Sequence, residues 1–176
     1  MALTIDATVG GASANSFVLL TEFATYMESR SNSDAYDDAE TDDVRNRALA
    51  EATRELSALM WHGYRVNDTQ ALAWPRDLVV NPDDPNGAFY DNDAIPGRIK
   101  RATYELALAV LKAGTTDIFS LDESLNVQSE EIGGAISTSY YEPSARIRGL
   151  SRYPAVMREI RPLLAGRTLG SPVVRG

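Results

Sequence analysis

The side chains most often used in catalysis are scarce in this chain. There is no cysteine, and His62 is the single histidine. These counts exclude disulfides, thiolate metal sites and cysteine nucleophiles, and a histidine-based dyad would have to use His62. That residue precedes Gly63 at the expected end of a helix, where a histidine usually interacts with the last carbonyl groups. We therefore interpret His62 as a capping or surface residue and expect no enzymatic activity.

Carboxylates and glycines offer two further kinds of chemistry. Oxygen-bearing side chains that could bind a hard cation are concentrated at Asp83, Asp84, Asn86, Asp91, Asn92 and Asp93. Their spacing lacks the alternate ligands, central glycine and closing glutamate of a calcium-binding loop. Gly10-Gly11 is not followed by the lysine and hydroxyl residue of a phosphate-binding loop. We expect a solvated, turn-rich segment, with no metal and no cofactor.

Aromatic and arginine residues are interleaved in the middle of the chain. This mixture is typical of proteins that stack single-stranded DNA bases beside a basic groove. The residues concerned are Trp61, Tyr64, Arg65, Trp74 and Arg76. The alternative is that Trp74, Pro75 and Arg76 form a structural anchor that holds a long loop against the core. We favour the anchor, because acidic residues surround the segment.

Charge is distributed unevenly along the chain, whose net charge is −8. Residues 1–96 carry 17 acidic and 6 basic residues, whereas residues 97–176 carry 8 acidic and 11 basic ones. Such segregation bears on partners and association. The acidic part would repel a phosphate backbone. The basic C-terminal end would attract either nucleic acid or an acidic protein surface. It predicts a docking surface made by Arg146, Arg148, Arg152, Arg158, Arg161 and Arg167.

Hydrophobic periodicity indicates that helices position these residues. The pattern predicts a first helix over about 22–30 capped by Thr21, a second that begins after Thr41 and stops at Gly63, and a central one between Pro96 and Gly114. A last helix begins near Pro154, and Pro162 should kink or shorten it.

Other segments lack a helical period. Residues 9–18 should form an extended arm and residues 31–40 a loop, while residues 64–95 should be an ordered excursion, because their apolar members favour packing. Alternation around Gly133-Gly134 predicts a hairpin over about 125–141.

The expected fold is mainly α: a small helical bundle with one β-hairpin, long ordered loops and an extended C-terminal tail. We assign residues 1–166 to one domain and residues 167–176 to the tail. No apolar run is long enough for a membrane span, and the N-terminus lacks the features of a signal peptide.

Two strings carry a family resemblance over about residues 2–113. The first is Gly10-Gly11-Ala12-Ser13-Ala14-Asn15-Ser16-Phe17-Val18, and the second is Gln70-Ala71-Leu72-Ala73-Trp74-Pro75-Arg76, followed by the helix start at Ile95-Pro96. In this order they resemble phage proteins labelled DnaT-like single-stranded-DNA-binding proteins. Those proteins in turn look like the head–tail connectors, or adaptors, of tailed bacteriophages.

The resemblance to connectors implies a structural subunit that forms a ring with itself, commonly of twelve copies, in the neck of the virion. Its partners would be the portal protein and a tail or neck protein, and double-stranded DNA would pass through the lumen without specific binding. Assembly would take place in the host cytoplasm. The alternative function is single-stranded-DNA binding in replication.

Overall fold

A computed structural model describes residues 2–114, 118–119, 129–132, 136–139 and 149–165. The fold is mainly helical, as the sequence predicts. Its α-helices are α1 (Leu20–Glu28), α2 (Asp34–Asp37), α3 (Asp42–Ser57), α4 (Gly97–Ala113) and α5 (Pro154–Ile160). Two antiparallel pairs accompany them, β1 (Tyr64–Arg65) with β2 (Arg76–Asp77) and β3 (Ser129–Ile132) with β4 (Ile136–Ser139). Short 3-10 helices span Gly149–Arg152 and Arg161–Leu163.

Helix α4 is the centre of the bundle, which confirms its predicted position. Residues 102–108 are buried without interruption, so almost every face of this stretch contacts other parts of the protein. Helix α3 packs on α4 through the stripe that contains Ala48, Ala52 and Leu56, all of them buried. Alanines on this stripe let the two backbones come close, and α5 covers another face of α4. Among the described residues, no helix combines the length and apolar content of a membrane span.

Helices α1 and α2 are held on the bundle by aromatic side chains. Phe23 lies 5.0 Å from Tyr36 and 5.9 Å from Tyr104, measured between ring centroids. The prediction that residues 31–40 form a loop is wrong over α2. Arg45 donates to the carbonyl groups of Tyr36 and Ala39, at 3.1 and 2.9 Å, and so satisfies carbonyls at and beyond the end of this short helix.

Two predicted helix boundaries are wrong for local reasons. Helix α1 begins at Leu20, not after Thr21, because the carboxylate of Glu22 accepts a 2.8 Å hydrogen bond from the backbone N–H of Leu19. Helix α3 does begin after Thr41, as expected, but it ends at Ser57 and does not reach Gly63. The indole N–H of Trp61 donates to the carbonyl of Leu56 at 3.0 Å and takes one of the last carbonyls of the helix.

The remaining segments follow the predicted outline. Residues 64–95 contain no helix and are ordered, and α5 passes into a 3-10 turn where Pro162 removes a backbone donor. Pro96 is the N-cap of α4 instead of its first residue. The hairpin exists, and its strands Ser129–Ile132 and Ile136–Ser139 lie within the predicted span of 125–141. Residues 133–135 and the predicted tail 167–176 lie outside the described residues, and the domain boundary stays a prediction.

Candidate nucleic-acid interface

Four short extended segments lie side by side on one surface of the protein, and we call them the platform: residues 163–165, 60–65, 76–81 and 88–90. The first pair is joined where the backbone N–H of His62 donates to Leu163 and that of Ala165 donates to Met60, at 3.0 and 2.9 Å. The second pair is β1 with β2. The third is joined where the N–H groups of Tyr90 and Asn81 donate to Val79 and Ala88, at 2.9 and 2.8 Å. The segments therefore occur in that spatial order.

The inner side of the platform is part of the hydrophobic core. Trp61, Trp74, Val79 and Leu163 are all buried there. The two indole rings meet edge to face with centroids 5.6 Å apart, and the ring of Tyr90 meets that of Trp74 at 6.5 Å. The peptide bond between Trp74 and Pro75 is cis. This packing supports the extended segments from below, so their outer side is presented on a rigid base.

The outer side of the platform exposes apolar and aromatic side chains. Tyr64 and Phe89 are 70% and 55% exposed, and Met60, Leu78 and Val80, which belong to the platform segments, are exposed as well. Tyr64 lies on the second segment opposite Asp77, and Phe89 lies on the fourth opposite Val80, so the two residues are offset both across and along the segments. An exposed aromatic patch on a supported surface is typical of a binding site. Each ring offers a face on which one base could stack.

Arginine contacts hold the platform together at β1 and β2. Arg76 donates to the carbonyl oxygens of His62 and Gly63, at 2.7 and 2.6 Å, and to Ala73 at 3.2 Å. Partial burial, and then the nearby Arg65, lower the pKa of Arg76. Arg65 is exposed and donates to the carbonyls of Gln70 and Leu72 through one nitrogen. Arg76 therefore acts as a structural clamp, whereas Arg65 can still meet a phosphate.

Three arginines border the platform beside the turn formed by residues 81–88. Arg98 forms two hydrogen bonds with Asp83, which belongs to this turn. Arg101 and Arg158 both contact Glu159, at 2.9 and 3.4 Å, and Arg98 lies 3.8 Å from the same carboxylate. We call Arg98, Arg101 and Arg158 the arginine cluster. Through Arg98 and Asp83 the cluster is connected to the turn that joins the segments of Val80 and Phe89.

Three of the six arginines predicted to form a docking surface lie in the described part of the chain. Arg152, Arg158 and Arg161 are exposed, and of these only Arg158 belongs to the arginine cluster. Arg146, Arg148 and Arg167 lie outside the described residues. Trp74 and Pro75 are buried and Arg76 is half-buried, beneath and within the platform.

His62 and the acidic segment also have defined positions. His62 belongs to the platform and not to a helix end, because α3 stops at Ser57. Asp83 binds Arg98, and the side chain of Asp84 accepts from the backbone N–H of Asn86 at 2.7 Å. No group of three metal-binding side chains occurs within the described ranges.

Some residues of this surface were missed by sequence reasoning. Phe89 and Leu78 were expected to pack in an ordered loop, but both are exposed. Arg98 and Arg101 were assigned no role beyond the central helix. The spacing of Arg98 and Arg101, three residues apart at a helix start, does place both on one face. No comparable signal marks Phe89, whose exposure depends on its pairing with Val80.

The family described as "Putative DnaT-like ssDNA binding protein" matches residues 1–176. No curated protein and no solved structure matches the chain.

The predicted head–tail connector, with its ring and its portal, neck and double-stranded-DNA partners, is wrong, since the family match covers the whole chain and nothing indicates a connector. The connector prediction rested on the resemblance of two strings, and the net charge of residues 1–96, which argued against DNA binding, takes no account of which side chains are exposed. The predicted virion location depended on the connector and stays a prediction. The chain belongs to the DnaT-like single-stranded-DNA-binding family.

Proposed function

We propose that this protein binds single-stranded DNA on the outer side of the platform and that it is a binding protein without catalytic activity. The observation that carries the proposal is the exposure of Tyr64 and Phe89 on a surface supported by buried tryptophans. The description of the family supports the same function.

Stacking explains how a protein with a net charge of −8 can hold a polyanion. Base–aromatic stacking contributes about 1–3 kcal/mol per base and depends little on sequence, because every base has a π-face. Arg65 at one end of the platform and the arginine cluster beside the 81–88 turn supply charge where the phosphates would pass. Bases are unstacked and accessible in a single strand, whereas a duplex keeps its bases paired. We therefore expect a preference for single-stranded DNA.

The test is to remove both rings and measure binding. The double substitution Tyr64→Ala and Phe89→Ala should weaken the Kd for a labelled oligothymidylate about 30-fold or more, since two bases then have no ring on which to stack. Fluorescence anisotropy at fixed salt gives the Kd. Because both side chains are exposed, the variant should fold like the wild type.

Three further variants make this test specific. Tyr64→Phe keeps the ring and should bind like the wild type, whereas Phe89→Leu keeps apolar area without a ring and should bind more weakly. Val44→Ala removes an exposed apolar residue on α3 and should change nothing. Equal affinity of the double variant and the wild type, or no binding by the wild type, would contradict the proposal.

A further inference from the structure

The arginine cluster carries more positive charge than its carboxylates neutralise. Glu159 is buried, with a side chain only 10% exposed, and it is approached by three guanidinium groups. Arg98 already has a second carboxylate, because its Nε lies 2.7 Å from Oδ2 of Asp83. Three positive and two negative charges leave this group with a net charge of +1. One arginine would be enough to neutralise Glu159, so the structure of the core does not require both Arg101 and Arg158.

The start of α4 adds to this excess. Its first turn contains no acidic residue and carries Arg98, with Arg101 one turn further on. Cations at the N-terminus of a helix are unfavourable, since the helix dipole already places partial positive charge there. An anion bound at this position would relieve the repulsion.

Glu159 uses only some of the guanidinium nitrogens of Arg101 and Arg158. Glu159 holds Arg101 through Nε and Nη2, and it holds Arg158 through Nε alone. Within the described part of the chain, the remaining nitrogens of these two arginines have no acceptor. Their side chains are 44% and 71% exposed, so these nitrogens can reach a ligand. The planar fork of a guanidinium group matches the oxygens of a phosphate.

We infer that Arg101 and Arg158 form a phosphate-binding subsite, positioned by Glu159, that holds one phosphate of a DNA strand lying on the platform. Arg98 links this subsite to the platform through Asp83, in the turn between the segments that contain Val80 and Phe89. The inference rests on the proposed function, and it adds a fixed phosphate contact beside the platform. The phosphate is either an internal phosphodiester or a terminal phosphate monoester.

The test compares Arg101→Ala/Arg158→Ala with Arg47→Ala, which removes an exposed arginine that also pairs with a neighbouring acid on α3. Labelled oligothymidylates with and without a 5′-phosphate are titrated at several salt concentrations. The double variant should bind about tenfold more weakly at low salt, and the slope of log K against log salt should fall by about 0.7 for each phosphate that the variant no longer neutralises. Arg47→Ala should match the wild type.

The two oligonucleotides distinguish the sources of the phosphate. An equal loss of affinity for both identifies an internal phosphodiester, and a loss confined to the phosphorylated strand identifies a terminal phosphate. Arg158→Lys should keep most of the salt slope, because the charge remains. If the double variant unfolds, the single Arg158→Ala variant, which leaves the Arg101–Glu159 pair intact, is measured in its place.

Failure of this inference can be told from failure of the proposed function. An affinity and salt slope equal to those of the wild type in the arginine variants, together with weak binding by the Tyr64→Ala/Phe89→Ala variant, would overturn the subsite alone. Absence of binding by the wild-type protein to either oligonucleotide would overturn both.

Discussion

Gly63 allows two segments of the platform to come closer together than a side chain would permit. Its φ is +69°, in the left-handed region that favours glycine. A Cβ atom at this position would overlap the carbonyl oxygen of Asp77 and lie 2.7 Å from a methyl group of Val79. The pairing of β1 with β2 depends on this missing side chain.

Replacing Gly63 by alanine should therefore destabilise the protein strongly. Gly87→Ala is a matched control, because Gly87 has a φ of +72° and no atom within 4 Å of the Cβ position. The control should cost about 1 kcal/mol of unfolding free energy, as is usual for an alanine in the left-handed region. Gly63→Ala should cost about 2 kcal/mol more, because backbone atoms must also move. Urea denaturation measures both, and equal losses of stability would contradict this account.

Side-chain contacts between elements fix α1 against α4. The hydroxyl of Tyr26 donates to Glu105 at 2.6 Å, and the second oxygen of Glu105 accepts from Arg30 at 3.1 Å. Near the other end of α1, Lys100 binds Glu22 at 2.6 Å. Burial, followed by the hydrogen bond to Glu105, raises the pKa of Tyr26 to about 12. The attachment of α1 thus requires Tyr26 in its protonated form.

Alkaline pH should weaken this attachment. Because the pKa of Tyr26 is higher in the folded state than the ordinary value of 10.0, its contribution to stability is complete below pH 10 and is lost as pH rises towards 12. Tyr26→Phe should be less stable at neutral pH and should lose less stability over this range. Urea denaturation between pH 8 and about 11.5 tests this, and parallel curves for the two proteins would refute it.

The elements differ in how far the sequence predicts them. Helices α3 and α4 follow from apolar residues at helical spacing, which act locally. Their ends depend on partners further away, such as the indole group of Trp61 at the end of α3. The platform could not be predicted, because its segments are too short to show alternation. Some of them also pair with segments far away in the sequence, as Trp61 does with Leu164. In the candidate site, the sequence identifies Tyr64 and Arg65 as possible DNA-binding residues. It does not show that their side chains are exposed to solvent.

At the scale of the whole molecule, the net charge and the local charge of the platform lead to opposite expectations about DNA binding. The chain has a net charge of −8, yet several of its acids are engaged by arginine or lysine, as Glu105, Glu159 and Asp83 are. The surface that we propose for binding a strand is the platform and its border, where Arg65, Arg101 and Arg158 supply donors. Summing charge along the sequence therefore gave a poor guide to the ligand.

This arrangement predicts a weak dependence of binding on salt. Neutralising two phosphates, one at Arg65 and one at the subsite of Arg101 and Arg158, corresponds to a slope of log K against log salt of about −1.4 for single-stranded DNA. Proteins that bind mainly through charge give much steeper slopes. Titration of oligothymidylate between about 0.05 and 0.3 M sodium chloride measures the slope. A value several times larger would mean that charge, and not stacking, dominates the affinity.

The buried indole pair gives the platform a spectroscopic signature of its own. Trp61 and Trp74 are the only tryptophans of the chain, and both lie directly beneath the proposed binding surface. Their rings are 5.6 Å apart at a fixed angle, close enough for the two transitions to couple in near-ultraviolet circular dichroism. Emission and dichroism of indole in the unlabelled protein therefore come entirely from this one region. The order of the binding surface can be followed separately from the helical signal of the bundle, without adding any chromophore.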